Sequence, residues 1–228
     1  MKKYDIFLLD ADDTLFDFGM AEANALKIMF DRRGLPYSEE IRLIYREINA
    51  KVWEGYERGE ITKAELQPLR FKRLFEVIGA GLNPQAFNDD YLYELGRGSF
   101  LLDGAMEICA EIAENGKQIF IVTNGILVTQ QARIEHSAIR QHISDYFVSE
   151  FVGYKKPQRE YFEYVLGHIP DVGRDKILVA GDSLTADIAG GNGAGLDTCW
   201  LNPEGNINDT DILPKYEIAS LHELRQFK

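Results

Sequence analysis

The chain is poor in the residues that staple small scaffolds together. It has two cysteines, Cys109 and Cys199, far apart, with no CxxC and no Cys/His cluster. That excludes a disulfide framework and a structural zinc site. Its four histidines show no ligand spacing. No apolar run approaches the roughly 18 residues of a membrane-spanning helix, and no apolar leader with a small-residue cleavage site is present. The expected location is therefore the cytoplasm. Basic residues are also scarce, 25 Lys and Arg against 37 Asp and Glu, for a formal net charge of −12. An acidic surface excludes nucleic acid and anionic membrane as expected partners. A small anionic metabolite stays admissible, because a metal and one or two cations can reverse the sign locally. There are no repeats and no low-complexity tracts. What remains, 45% apolar and 27% charged over 228 residues, suits a globular core with room for a second, smaller module.

The most informative stretch runs from Tyr4 to Thr14. Ile6-Phe7-Leu8-Leu9 is a continuous apolar run of strand length, as expected for a strand buried on both faces of a parallel sheet. It delivers Asp10, Asp12 and Asp13, then Thr14. Ligands of open α/β sheets gather at the carboxyl ends of the strands. Asp10 and Asp12 share a side if the backbone stays extended, and two carboxylates held together call for a cation or a shared proton.

From about residue 19 to 95 the pattern is almost wholly helical. Gly34-Leu35-Pro36 stops the first helix, Ser38 opens the second, and Thr62-Lys63-Ala64-Glu65 is a capping box for the third. A shorter helix follows Asn83-Pro84. No strand signal interrupts this region, which is far too long for an ordinary βα connection; it reads as a helical insertion standing over the carboxyl edge of the sheet. From Asp103 strands and helices alternate. Strands are expected at Gln118–Val122, Tyr146–Ser149, Lys176–Ala180 and Thr198–Leu201, with helices at 105–114, 130–139, 160–166 and 186–193 and a short strand and helix after Tyr216. Alternation of this kind predicts an α/β fold with a doubly wound, Rossmann-like parallel sheet.

Three more strand ends carry polar groups. Thr123-Asn124-Gly125 offers a hydroxyl and an amide at a helix start, suited to an anion. Lys156-Pro157 aims a flexible point charge at the strand tips, the proline fitting a helix's first turn. Gly181-Asp182 ends a third strand, and Asp187 can fold back within the next helical turn. Together with Asp10 and Asp12 these carboxylates make an oxygen-rich nest suited to Mg²⁺. The glycine run at 190–195 lacks GxGxxG spacing and follows a helix, so it is not a dinucleotide loop. Trp53 and Tyr56 are expected in the core of the helical insertion rather than stacked on a ligand.

Asp10-x-Asp12-x-Thr14, Thr123-Asn124, Lys156-Pro157 and Gly181-Asp182-x-x-x-x-Asp187 resemble, in order and type, the four motifs of the haloacid dehalogenase (HAD) superfamily. The insertion resembles that superfamily's C1 helical cap. The resemblance implies a core of residues 1–16 and 101–228 and a cap of residues 17–100. The second aspartate, Asp12, follows the phosphatase pattern. Closer similarity is to bacterial house-cleaning pyrimidine 5′-nucleotidases, through residues 7–16, the stretch Trp53-x-x-Tyr56-x-x-Gly59-x-Ile61-Thr62 with Arg70-Phe71, Gln130-Gln131-x-Arg133 and Thr198–Asn202. What this implies is a Mg²⁺-dependent phosphomonoesterase. Asp10 is the expected nucleophile and Asp12 the acid and base. Mg²⁺ is expected on Asp10, Asp182 and the Asp12 carbonyl, with phosphate oxygens held by Lys156, Thr123 and Asn124. Asp187 is expected to orient Lys156 or a metal-bound water. The expected partner is a small phosphorylated metabolite, a pyrimidine nucleoside monophosphate first. Phosphoglycolate or a sugar phosphate, a phosphomutase reaction, and a non-enzymatic phospho-acceptor domain are the alternatives.

Overall fold

The computed structural model describes residues 2–228 and divides them into two compact units. One comprises the N-terminal residues through Gly19 together with Ser99–Lys228, and the other is Met20–Gly98. The first unit is built on six parallel strands: β1 Ile6–Leu9, β2 Gln118–Thr123, β3 Asp145–Val148, β4 Ile177–Gly181, β5 Asp197–Leu201 and β6 Tyr216–Ile218. Their order is β3-β2-β1-β4-β5-β6, the doubly wound arrangement expected of alternating strands and helices. All four residues of β1 are buried, and period-two alternation divides them between two cores. Phe7 and Leu9 join Ile119, Ile121, Leu178 and Cys199 on one face. Ile6 and Leu8 join Phe120, Val122, Val179 and Phe162 on the other. A strand apolar at every position is thus explained by helices on both sides.

The helices of the chain are α1 Phe18–Arg32, α2 Glu39–Glu57, α3 Lys63–Ile78, α4 Pro84–Gly96, α5 Ala105–Glu114, α6 Leu127–Glu135, α7 Ser149–Val152, α8 Arg159–Leu166 and α9 Ala189–Gly193. The helix expected over 186–193 is split: residues Leu184–Ile188 form a π-helical turn, which continues into α9. The helix expected over 130–139 begins three residues earlier, at Leu127, and gives way to a 3₁₀ turn at Ala138–His142. Pro157 does not sit in a helical first turn; it lies in the turn before α8, after a cis Lys156–Pro157 peptide bond. Cys109 on α5 and Cys199 on β5 are buried free thiols whose pKa values burial pushes up to about 12, so both serve as small apolar core residues.

The second unit is helical throughout. Thr62 accepts from the Glu65 amide at 3.2 Å while the Glu65 carboxylate accepts from the Thr62 amide at 2.8 Å, completing the capping box of α3. Gly79 ends that helix in the left-handed region at φ 68°, where a side chain would be strained. Its core packs Phe30, Tyr45, Phe71, Phe75, Phe87 and Tyr91. Arg70, 1% exposed, donates to the Asn88 side-chain Oδ1 at 2.8 Å and lies over the Phe71 and Tyr91 rings. Trp53 and Tyr56 are not core: both are half-buried, edge to face at 5.7 Å, with the Lys63 ammonium against both rings. Among the described residues no helix is long and apolar enough to cross a membrane.

Candidate active site

The sheet register sets the site. Leu9 pairs with Ile121 on one side and Ala180 on the other, so β1, β2 and β4 end almost level. Their following residues project from one edge. Asp10 continues the ladder, its amide donating to the Ala180 carbonyl at 2.9 Å. Asp13 then turns the chain with φ 55°, a left-handed conformation that aspartate tolerates better than most residues.

Lys156 is the hub of this edge. Its ammonium donates to Asp10 Oδ1 at 2.6 Å, Asp187 Oδ1 at 2.6 Å and the Val122 carbonyl at 2.8 Å. All three of its protons have acceptors, as a buried ammonium requires. Burial opposes the charge on Lys156, but Asp10 and Asp187 outweigh it and raise its pKa. Asn124 braces the lysine's backbone. Its Oδ1 accepts from the Lys156 amide and its Nδ2 donates to the Lys156 carbonyl, each at 2.9 Å. The side chain expected to hold an anion therefore first fixes the loop that carries the cation. Thr123, 1% exposed, accepts from the Gly125 amide at 3.0 Å.

Asp10, Asp182 and Asp187 each present a carboxylate oxygen within 4.8 Å of the others. Three negative charges against one ammonium leave the cluster short of cations. Burial, then Asp187 and Asp182, push the Asp10 pKa well up against the opposing pull of Lys156. Burial, then Asp187 and Asp13, push Asp182 up to about 7. A hard divalent cation with oxygen ligands answers this imbalance, so the donor set fits Mg²⁺. Gly181 makes the crowding feasible: a Cβ there would lie 2.2 Å from Asp187 Oδ2. The Ser183 amide donates to that same oxygen at 3.2 Å.

The carboxylates that crowd Asp10 are thus Asp182 and Asp187, not Asp12. The shared side expected of Asp10 and Asp12 is conditional on an extended backbone, whereas β1 ends at Leu9, before both. Asp12 Oδ1 instead accepts from Arg133 and Oδ2 from Gln130. These two partners, together with Thr14, are site residues to which the sequence reading gave no role. Thr14 is fully buried; its hydroxyl donates to Asp182 Oδ1 at 3.3 Å and accepts from the Asp182 amide at 3.2 Å. The Trp200 indole donates to the Asp182 carbonyl at 2.8 Å. The i, i+3 spacing of Gln130 and Arg133 on one helix face was the available signal.

The geometry can be set beside known proteins. Residues 4–195 match the family model of haloacid dehalogenase-like hydrolases. YfnB of Bacillus subtilis is 40% identical over 224 residues, 98% of this chain and 95% of that protein. A crystal structure of YfnB bound to magnesium superposes with a TM-score of 0.93 at 39% identity, covering 99% of this chain and 98% of that one. The pyrimidine 5′-nucleotidase PynA of Streptococcus pneumoniae is 34% identical over 221 residues, 97% of this chain and 93% of PynA. The pyrimidine 5′-nucleotidase YjjG of Escherichia coli is 34% identical over 224 residues, 98% of this chain and 97% of YjjG.

Proposed function

Because the chain belongs to the haloacid dehalogenase-like hydrolase family, we propose that it is a Mg²⁺-dependent phosphomonoesterase acting on pyrimidine nucleoside 5′-monophosphates through an aspartyl-phosphate. The observation that carries the reading is the convergence of Asp10, Asp182 and Asp187 around the Lys156 ammonium at the ends of β1 and β4. In this reading residues 1–16 and 101–228 are the catalytic core and residues 17–100 the cap domain.

A carboxylate oxygen of Asp10 attacks phosphorus as the bond to the leaving ester oxygen breaks. Asp12 gives that oxygen its proton, then takes one from the water that hydrolyses the acyl phosphate. Thr123 holds a non-bridging oxygen, and the Lys156 ammonium holds another by giving up one of its present acceptors, donors set in place before charge moves. Asn124 keeps Lys156 aimed through its backbone, and Asp187 keeps the ammonium charged and oriented. The side chains of Asp10 and Asp182 and the carbonyl of Asp12 would hold Mg²⁺, which would supply the positive charge needed to offset repulsion of a phosphate dianion. Thr14 and Trp200 steady Asp182 for that task.

The substrate class is supported by the kinship with PynA and YjjG, both named pyrimidine 5′-nucleotidases, over nearly the whole chain. The test is phosphate release from a panel of UMP, dUMP, dTMP, AMP, GMP, phosphoglycolate and hexose phosphates, with Mg²⁺ and with excess chelator. Pyrimidine nucleotides should show the highest kcat/KM, and the chelator should abolish turnover. Full activity in chelator would remove the mechanism. Far better hydrolysis of phosphoglycolate or a hexose phosphate would remove the substrate and leave the phosphatase.

A further inference from the structure

Arg133 is the most deeply buried charge near the strand tips without a motif role, at 0% exposure against 28% for the Asp12 side chain it pairs with. Burying a guanidinium is costly unless its charge is met, and the surroundings are arranged to meet it. Its guanidinium lies over the Phe16 ring at 4.9 Å and the Phe18 ring at 6.0 Å, a cation–π setting. The Ser99 hydroxyl donates to the Arg133 carbonyl at 2.9 Å. One turn earlier on α6, Gln130 is 1% exposed. Its amide reaches Asp12 Oδ2 and also lies 3.3 Å from Thr123 Oγ1 at the tip of β2. Gly125 leaves the passage for it: a Cβ there would lie 2.1 Å from Gln130 Nε2.

We infer that Arg133 and Gln130 are positioning residues that fix the Asp12 carboxyl, one oxygen each, for proton transfer at the leaving ester oxygen. The inference rests on the reading of Asp12 as the acid and base. An aspartate at the end of a bent loop would otherwise rotate freely about two side-chain bonds. Here a charged donor pins one oxygen and a neutral donor pins the other, and the neutral donor ties the pair to the phosphate-side threonine. When the bond from phosphorus to the leaving oxygen breaks, the electron pair goes to that oxygen and the Asp12 proton follows it. Misplacement by about 1 Å at such a step costs on the order of a hundredfold in rate.

The demand for the acid depends on the leaving group, and this separates positioning from a merely structural role. An alkoxide needs the proton as it departs, whereas nitrophenolate leaves without one. The experiment measures kcat/KM, which reports the first chemical step, for p-nitrophenyl phosphate and for the alkyl phosphate cleaved fastest in the panel above. For Arg133→Met the alkyl-to-aryl ratio should fall at least about thirtyfold, roughly a third of the hundredfold lower end expected for losing a placed acid. Arg133→Lys should restore part of the ratio. Gln130→Met, which removes only the neutral donor, should lower it by a smaller factor and serves if Arg133→Met does not fold. A ratio within threefold of wild type in the folded variants, whether both rates fall or neither does, would overturn the inference. Wild-type protein inert on both phosphates would overturn the reading of the site itself, and the inference with it.

Discussion

Asp10 is the residue on which most depends, because it lies between the ammonium of Lys156 and the carboxylates of Asp182 and Asp187. Asp10→Asn is nearly isosteric and deletes the proposed attacking oxygen and the proposed metal ligand together. It should lower kcat more than a hundredfold, about 2.7 kcal/mol of barrier, with an unchanged far-ultraviolet circular dichroism spectrum; a variant retaining a tenth of the activity would sink the nucleophile assignment. Gly181→Ala should act differently. The added Cβ collides with the Asp187 carboxylate, and overpacking of this kind costs typically 1–3 kcal/mol. Chemical denaturation should show the lowered midpoint, and an unchanged midpoint with full activity would remove Asp187 from its assigned place. Asp10, Thr123, Asn124 and Asp182 were legible in sequence because each lies at or just after the end of a buried strand, and β1, β2 and β4 end almost level; Lys156 instead arrives by the loop after α7. Their partners were less so. Thr14 locks Asp182 through both its hydroxyl proton and its lone pair, and nothing in the spacing of Asp12, Gln130 and Arg133 fixes which side chain meets which. That depends on where the chain bends after Leu9 and on rotamers, which periodicity does not encode.

Elements whose ends carry their own caps were the most readable. Ser38, Thr62 and Asn83 each accept from the amide three residues on, so the starts of α2, α3 and α4 follow from local chemistry. α6 was misplaced for the opposite reason. Its cap residue is Ile126, without a side-chain acceptor, and the Leu127 amide is met by the Glu150 carboxylate from α7. A cap borrowed from a distant element leaves no local trace. The π turn at 184–188 is similar in kind: it brings Asp187 back to Lys156, a tertiary demand overriding the ordinary helical period. Local capping also makes a local prediction. Thr62→Ala removes both the oxygen that accepts from Glu65 and the reciprocal geometry, and should destabilise the helical unit by about 1 kcal/mol. Hydrogen exchange of the amides in the first turn of α3 should rise accordingly. Unchanged protection there would show that the box contributes nothing.

At the scale of the molecule, three carboxylates gathered around one ammonium link stability to pH and to metal. In the unfolded chain Asp182 titrates at its ordinary value of 3.8, whereas the metal-free folded protein holds it at about 7. Asp10 is shifted in the same direction by burial and by the neighbouring carboxylates. Between the two values the folded state binds more protons than the unfolded one, so stability falls as pH rises. This contribution is therefore fully present below about 4 and lost as pH climbs through about 7. A cation at the same oxygens replaces those protons, and its binding must strengthen across the same window. The rise in Tm on adding Mg²⁺ should accordingly be small near pH 5 and grow toward pH 8. At a Mg²⁺ concentration about 100-fold above Kd the gain is about 2.7 kcal/mol, which for a chain of this size corresponds to roughly 5–10 °C. Asp182→Asn should flatten the pH dependence of that rise, since the group that exchanges proton for metal is gone. Thermal melts with Mg²⁺ and with chelator across this range measure it. A Mg²⁺-induced rise that is as large at pH 5 as at pH 8 would mean that the ion, if it binds, does not sit on the protonated carboxylates of Asp10 and Asp182.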